Sequence, residues 1–555
     1  MKRKIWKIKK QHPQALKLAQ KYKISIFLAQ VLLNRNIQEK DLLSFLDPSG
    51  HNFHSPDALP DIKKASCRIK EAVSNGERVV VFGDYDVDGI TSLAIFNEFA
   101  ADYPGIFSFH IPNRIEQGYG LNQEVIEKSA KDKVSLIIAF DCGTNAVKEI
   151  SLANSLGIDV VVVDHHHIGE SSIDPFAFIN TKREDSSYPF LDLSSGALSF
   201  KLLQVLTGSS CRQVLDLVAL SIVCDVVPLQ GENRSLLNEG LKVIRTSTRP
   251  AIKALCKAGK IKQENIDIFH IGYVLGPRIN ASGRMSDARD SLDLFLTQEQ
   301  LEADNLAVRL NDYNLKRRAI EAQILQEAQA SIDSGVYDDY IIVAHGQDWH
   351  PGVLGIVASR LADKYCRPAF AISFNKGKGK GSGRSVHSVH LIEALRECSD
   401  FLLAYGGHKK AAGIHISEDN LENFKSRINS FLKSKMKLED FIPLLEIDAV
   451  LKFEDINMDF VKSIEKLKPY GEGNSRPVFL SRNIFKRSEP KKVYSYFSLW
   501  LSDGIKTFEG LIYDKDILEV LTCTNNLDIA FSLENNSYHN TSRLIIKDCR
   551  FSGGE

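Results

Sequence analysis

The sequence predicts an α/β fold in two successive parts, joined by a long helix and followed by a small β-barrel. Three observations carry this. Nearly all-apolar runs of strand length, at Arg78–Phe82, Ser135–Phe140 and Asp159–Val163, alternate with helical periodicity. A helical pattern free of Gly and Pro runs from Leu301 to Ile332. After about residue 440 the chain breaks into short strand-like runs separated by Asn-, Gly- and Asp-containing turns.

Residues 1–55 read as a small helical segment with a polar turn at Asp47-Pro48-Ser49-Gly50. Residues 56–230 form the first α/β part, with Phe107–Ile111 as a further strand. Strands this apolar are those of a parallel sheet covered on both faces. Residues 231–335 are helical and end in the long helix, whose apolar residues include Leu306, Leu310, Leu315, Ile320, Ile324 and Leu325. At 1.5 Å per residue it spans about 45 Å. It reads as a connector because a second strand–helix unit, 336–440, starts directly after it. That unit has Tyr340–Ala344 and Ala369–Phe374 as strands and Val353–Tyr365 and Leu391–Leu403 as helices. In 441–555, Val493–Leu501, Thr507–Tyr513, Leu527–Leu533 and Arg543–Lys547 suggest a small antiparallel barrel.

A chain of 555 residues exceeds the size at which single cores stop growing. Lys+Arg and Asp+Glu balance at 70 each, which leaves a nucleic-acid partner open, because the charge on one face decides that. The nine cysteines form no CxxC pair, which argues against a thiolate zinc site, and their odd number argues against a disulfide framework. The basic stretch Met1–Lys10 leads into no apolar segment, and no run approaches the roughly 20 apolar residues that span a bilayer. A reducing, cytoplasmic setting away from membranes is expected.

The densest chemical signal is Gly83-Asp84-Tyr85-Asp86-Val87-Asp88-Gly89, directly after the first strand. Three carboxylates at alternating positions repel one another unless cations lie between them. Alone, the stretch reads equally well as a solvated Asp/Gly turn. It is not an EF-hand loop, since a strand precedes it and the terminal Glu is missing. Asp141 closes the second strand, and Asp164-His165-His166-His167 closes the third. Ligands of open parallel sheets gather at the carboxyl ends of strands, so three strands would deliver these groups to one edge. Asp225 follows the apolar helical run Val214–Val223, where an Asp is often only a cap. Oxygen and imidazole donors suit Mn²⁺ or Mg²⁺, and so many carboxylates suit two ions roughly 3.5–4 Å apart.

In this order the motifs resemble those of the DHH phosphoesterase superfamily: Asp84, Asp86 and Asp88 the first, Asp141 the second, Asp164-His165-His166 the third, Asp225 the fourth. Gly406-Gly407-His408 and Gly381-Ser382-Gly383-Arg384-Ser385 resemble the associated DHHA1 domain. Asp84–Ser92, Leu275–Arg284, Gly352–Ser359 and Pro469–Asn474 are similar to the RecJ branch, and the resemblance runs from about residue 55 to the end. It implies a DHH and a DHHA1 domain joined by the long helix, then an OB-like barrel. It also implies two Mn²⁺ or Mg²⁺ ions held by Asp86, Asp88, Asp141, His165 and Asp225, with Asp84 close by and His166 on the scissile phosphate. Arg114, Tyr119, Arg278 and Asn280 are expected to contact substrate, as are Arg284, Ser382, Arg384 and His408. The implied activity is 5′→3′ hydrolysis of single-stranded DNA to mononucleotides in repair and recombination. The implied agent is a monomer working with a single-strand-binding protein and a helicase. The sequence departs from the branch at Tyr405, where Phe is expected, and Cys224, where Ala is usual; neither touches the chemistry. The chain ends soon after the barrel, so no additional C-terminal domain is expected.

Lys376–Lys410 carries seven basic residues against three acidic ones. Glycines alternate with the first of these, an arrangement that lets backbone N–H groups approach an anion. Lys376–Lys380 alone reads as a solvated hairpin tip; Arg384 and Ser382 are placed in a 5′-phosphate pocket by the resemblance. Arg suits such a pocket by its bidentate geometry. Tyr119 either stacks on a sugar or base or is a turn aromatic. On the barrel strand, Tyr494, Tyr496 and Trp500 fall on one face and Phe497 on the other; one set fills the barrel and the other is open to bases. Two other functions compete. A hydrolase of short oligoribonucleotides or cyclic dinucleotides would need neither this length nor a barrel. A non-enzymatic scaffold would have no need of mutually repelling carboxylates.

Overall fold

Three consecutive valines, Val79 to Val81, suit a strand buried on both faces, and β1 (Arg78–Gly83) forms there. The structure, a computed structural model, describes residues 4–553 except 49–52, 115–116, 119, 334–338, 387, 524 and 537–540. It has two units: Phe53–Val227 with Ser235–Phe441, and residues up to 52 with Pro228–Arg234 and Ile442–Glu555.

In the first of these, β1 is followed by α1 (Val87–Ala100), β2 (Phe107–His110), β3 (Val134–Phe140), β4 (Asp159–Val163) and β5 (Ala177–Ile179). The sheet is wholly parallel in the order β2-β1-β3-β4-β5. The chain leaves β1 for β2 on one side and returns for β3 on the other. Strand order therefore reverses between β1 and β3, which opens a crevice beyond their carboxyl ends. Helices α2 (Ser195–Thr207) and α3 (Leu215–Cys224) pack against α1. Then come α4 (Gly276–Met285) and α5 (Gln300–Asp333), a helix of 34 residues and about 50 Å. The early part of α5 packs on α4, and Ile324 and Ala328 near its end join the core of a second sheet, so it links the two.

That sheet has β6 (Ile342–Gln347), β7 (Ala369–Asn375), β8 (Lys378–Arg384), β9 (Leu402–Gly407) and β10 (Ala411–Ser417), ordered β9-β10-β8-β7-β6. Helix α6 (Leu354–Tyr365) covers one face. Two expectations are corrected here. Lys376 and Gly377 are the exposed tip of the β7–β8 hairpin, as expected, but Gly379, Gly381 and Gly383 lie in an inner strand and not in a loop open to an anion. A Cβ on Gly379, Gly381 or Gly383 would come within 2.6, 2.8 and 2.4 Å of the side chains of Phe374, Ile414 and Phe370. These glycines make room for large neighbours, and their backbone lies within the ladder. The helix expected over Leu391–Leu403 stops at Arg396, because Leu402 and Leu403 are taken into edge strand β9.

In the other unit, helices Ala15–Tyr22 and Ile26–Asn34 are not a free-standing segment. Leu18, Leu28 and Leu32 share one core with Phe453, Phe479 and Phe531. Strand Ile5–Ile8 pairs in parallel with Leu444–Ile447. Beyond lie β11 (Phe479–Lys486), β12 (Tyr496–Ser502), β13 (Thr507–Ile512), α7 (Lys515–Cys523), β14 (Asn526–Asn536) and β15 (Thr541–Phe551). β11 pairs with both β12 and β14, so these five strands follow one another around a ring. The pairing is not all antiparallel as expected: β13 and β15 run parallel, with α7 and β14 between them in the chain. Leu499 and Leu501 are buried, which turns Tyr496, Ser498 and Trp500 outward. Tyr494 lies outside the strand, 95% exposed, and Phe497 packs on the core. No helix among the described residues is long and apolar enough to cross a membrane.

Candidate metal centre

The first motif bends tightly at the start of α1. Asp86 caps the helix, Oδ1 accepting the N–H groups of Asp88 and Gly89 at 2.9 and 3.3 Å. The turn folds so closely that a Cβ on Gly89 would lie 2.4 Å from the Asp84 carbonyl oxygen. Asp141, beyond β3, has φ +59, rare for a residue with a side chain, while its N–H still bonds Val163 O at 3.1 Å. His165 is the meeting point. Its Nε2 lies 3.4 Å from Asp141 Oδ1, 3.5 Å from Asp225 Oδ2 and 3.7 Å from Asp88 Oδ2. Oxygens of Asp84, Asp86 and Asp141 also lie within 4.8 Å of one another. Asp84, Asp88, Asp141 and His165 are buried.

Burial and crowding penalise the charges. Burial, then Asp86, raises Asp84 well above the carboxylate range; burial, then Asp88, raises Asp86 and Asp141. Burial, then Asp88 and Asp86, pushes Asp225 to about 9, and burial holds His165 down to about 4. Divalent cations would reverse these penalties. The residues fit such ions. Asp84 Oδ1 and His165 Nε2 are buried without a hydrogen-bond partner among the described residues, and the donors are hard oxygens and imidazole.

Asp164 plays a different part. Its Oδ2 accepts Thr144 N–H at 3.0 Å; Oδ1 accepts the N–H of His165 at 2.8 Å and meets His166 Nδ1 at 2.7 Å. Burial opposes its charge, but His166 outweighs burial and holds the carboxyl well below its usual range. Burial would lower His166 as well, yet the bond to Asp164 lifts it to about 9. With Nδ1 held, Nε2 is the nitrogen that can meet a substrate. The sequence reading missed Asn180, whose Nδ2 donates to Thr144 Oγ1 and His166 O at 3.1 and 3.0 Å, and Lys182, which donates to His165 O. Both follow β5, a three-residue strand too short to stand out.

Beside the acidic cluster lies a basic one. The Arg114 guanidinium sits 4.9 Å over the ring of Tyr85, between Asp84 and Asp86. Arg284 donates to Gly352 O at 3.3 Å. Arg384 lies against the start of α6, where a Cβ on Gly355 would come 2.9 Å from its Nη2. Burial, then Arg114, lowers Arg284 to about 9 and lowers Arg384 too. Arg114 thus repels both of the others, and guanidinium groups gathered in this way suit an anion. Ser382, half-buried in β8, stands opposite Gly413. The charge of His408, after burial and Lys182, helps hold His167 down, which places it near the third motif. Asn280 Oδ1 accepts Val87 N–H at 3.1 Å and so braces the first motif. Arg278 donates to Asn311 Oδ1 and Val274 O at 3.1 and 2.7 Å, tying α4 to α5, and neither contact reaches the acidic cluster. Tyr119 lies outside the described residues.

A parallel sheet whose switch-point strand ends gather these carboxylates and imidazoles is the arrangement of the DHH class. The model of the DHH family, N-terminal domain, matches residues 78–222; the DHHA1 domain matches 338–434 and the RecJ OB domain 447–548. The single-stranded-DNA-specific exonuclease RecJ of Bacillus subtilis is 34% identical over 86% of this chain, and the chain spans 61% of its length. That of Dickeya dadantii is 32% identical over 76% of this chain and 78% of its own. The crystal structure of RecJ with Mn²⁺ from Thermus thermophilus superposes with a TM-score of 0.84 at 26% identity, covering 100% of this chain and 81% of that one. Its counterpart with Mg²⁺ gives 0.79 at 25% identity, over 100% and 80%. The chain belongs to the RecJ family.

Proposed function

We propose that this protein hydrolyses single-stranded DNA from its 5′ end, releasing 5′-mononucleotides. The carrying observation is that the arginine cluster borders the first acidic motif, with Arg114 lying over Tyr85, the residue between Asp84 and Asp86. Arg114 eases the charge on Asp84, and Asp86 supports the charge on Arg284. A terminal phosphate among Arg114, Arg284 and Arg384 would leave the neighbouring phosphodiester at the carboxylates, which is the reach of an exonuclease. Asp86, Asp88, Asp141, His165 and Asp225 would hold two divalent cations, with Asp84 alongside. Bound there, Mn²⁺ or Mg²⁺ supplies a nucleophilic water at neutral pH and offsets charge developing on the phosphate. His166, oriented by Asp164, donates from Nε2 to a phosphate oxygen. Ser382 and His408 line the substrate side. We place the protein in the cytoplasm, as a monomer in repair and recombination, with a helicase and a single-strand-binding protein supplying its substrate.

The test incubates 5′-phosphorylated single-stranded DNA, duplex DNA and RNA, plus a cyclic dinucleotide, with Mn²⁺, Mg²⁺ or chelator. Metal-dependent mononucleotide release from the single strand alone is expected. Faster cleavage of short RNA or of the cyclic dinucleotide would replace this reading with the small-substrate one.

Arg384→Ala is expected to weaken preference for 5′-phosphorylated ends. A charge-assisted contact to phosphate contributes roughly 1.5–3 kcal/mol, about ten- to a hundredfold. The measurement is the ratio of kcat/KM on 5′-phosphate and 5′-hydroxyl strands; an unchanged ratio removes Arg384 from the pocket.

The barrel is assigned a second contact with the strand. Trp500, 51% exposed, lines a groove of about 360 Å³ with Met458, Lys506 and Phe508. Stacking on such a ring contributes roughly 1–3 kcal/mol per base. Trp500→Ala should raise KM for long strands about five- to a hundredfold and leave turnover of very short oligonucleotides unchanged. Equal affinity of both proteins for long strands would place the binding elsewhere.

A further inference from the structure

Asp88 is buried, and three hydrogen bonds reach its carboxylate from outside its own loop. The N–H of Gly196, in the first turn of α2, donates to Oδ1 and that of Ser195 to Oδ2, both at 2.8 Å. The third donor is Ser221 on α3, whose hydroxyl lies 2.5 Å from Asp88 Oδ1. Ser221 Oγ is also 2.6 Å from Ser194 Oγ, and Ser194 Oγ accepts Ala197 N–H at 3.3 Å as the cap of α2. A carboxylate only accepts, so the Ser221 proton must point at Asp88. The Ser194 proton then has Ser221 Oγ as its acceptor. The hydroxyls thus run in one direction, from the start of α2 through Ser194 and Ser221 to Asp88.

Two further facts single out Ser221. A Cβ on Gly196 would lie 2.5 Å from Ser221 Oγ and 2.6 Å from its Cβ, so the serine occupies space that only a glycine at 196 leaves open. The backbone oxygen of Ser221 accepts Asp225 N–H at 3.0 Å. One residue therefore touches both Asp88, through its side chain, and Asp225, through its backbone, and both carboxylates lie within 3.7 Å of His165 Nε2.

We infer that Ser221, oriented by Ser194, is a positioning residue that fixes the Asp88 carboxylate for cation binding and holds the first and fourth motifs in register. This rests on the reading of Asp88 and Asp225 as cation ligands. Groups that orient metal ligands typically cost ten- to a hundredfold in affinity when removed. Ser221→Ala should therefore bind Mn²⁺ about tenfold more weakly or worse, with near-normal kcat recovered at saturating Mn²⁺. Ser194→Ala should give a smaller loss, and adding it to Ser221→Ala should cost nothing more, because the relay is already cut.

The experiment is calorimetric titration of the full chain with Mn²⁺, alongside thermal unfolding in chelator. The Gly196→Ala/Ser221→Gly double variant moves the filling carbon from one helix to the other without restoring a hydroxyl. It separates packing from hydrogen bonding if Ser221→Ala alone misfolds, and it should bind Mn²⁺ as weakly as Ser221→Ala. A folded Ser221→Ala or double variant that binds Mn²⁺ as tightly as the natural chain overturns the inference. Failure of the natural chain to bind Mn²⁺, or unaltered binding by Asp88→Ala, would overturn the metal reading beneath it.

Discussion

Asp141→Ala is expected to lower kcat/KM on single-stranded DNA by about a thousandfold or more while leaving the chain folded. The carboxylate stands within reach of both groupings, facing Asp84 and Asp86 on one side and His165 on the other. A group serving both cation positions carries several kcal/mol of transition-state stabilisation, and each 1.36 kcal/mol is a factor of ten. Stability should move the other way. Burial, then the neighbouring aspartates, raises Asp141 well above the carboxylate range. A carboxyl whose folded value lies above its unfolded one costs stability once the pH passes the unfolded value. Removing it therefore removes a cost, and the variant should unfold in chelator at the same temperature as the natural chain or higher. Asp141→Asn should show the same loss of activity, since the amide keeps the shape and loses the charge. Near-normal turnover by a folded Asp141→Ala protein would sink the two-cation reading.

The strand ends were legible because the sheet is parallel and its strands carry their chemistry where the apolar run stops. Asp84, Asp141 and His165 were placed together by that rule alone. Asp225 was not, since an Asp after an apolar helix has no period to distinguish it from a cap. The hydroxyls of Ser194 and Ser221 were invisible for a similar reason: each lies on its own helix, and only the packing of α2 on α3 brings them to Asp88. The alternating glycines of β8 were visible but their reason was not, because alternation with lysine looks alike in a loop that cradles an anion and in a strand lying under Phe370 and Phe374. The support that Asn280 gives Val87 and that Arg278 gives Asn311 was not legible either, since each crosses from one element to another distant in the chain. The joining of residues up to 52 with those after 441 could not be read locally, since the shared core spans more than four hundred residues of chain. Truncating at residue 441 would thus strip the core from the N-terminal helices, and point changes such as Trp500→Ala test the barrel more cleanly.

The stretch Pro469-Tyr470-Gly471-Glu472-Gly473-Asn474 was singled out by its resemblance, and its chemistry proves architectural. Arg234 is 1% exposed, its guanidinium 4.2 Å over the ring of Phe45. Nε donates to Phe45 O at 2.9 Å, Nη2 to Lys466 O and Lys468 O at 2.9 and 2.7 Å, and Nη1 to Leu467 O and Pro469 O at 3.1 and 3.5 Å. Asn474 Nδ2 donates to two of the same carbonyls, those of Leu467 and Pro469, at 2.8 and 2.7 Å, and Arg35 donates to Asn474 Oδ1. A planar fork of five N–H donors suits this ring of backbone oxygens; an ammonium, with three donors on a flexible stem, does not. Burial, then Arg35, lowers Arg234 to about 10, which still leaves it charged at neutral pH. Arg234→Ala leaves buried carbonyls without partners and opens a void beneath Phe45, at a cost of roughly 3–5 kcal/mol. Arg234→Lys should recover only part of that. Denaturant unfolding followed by hydrogen exchange is the measurement: Lys466–Asn474 and the helices Ala15–Tyr22 and Ile26–Asn34 should lose protection together. Exchange in those segments as slow as in the natural chain would show that the knot around Arg234 does not hold this unit closed.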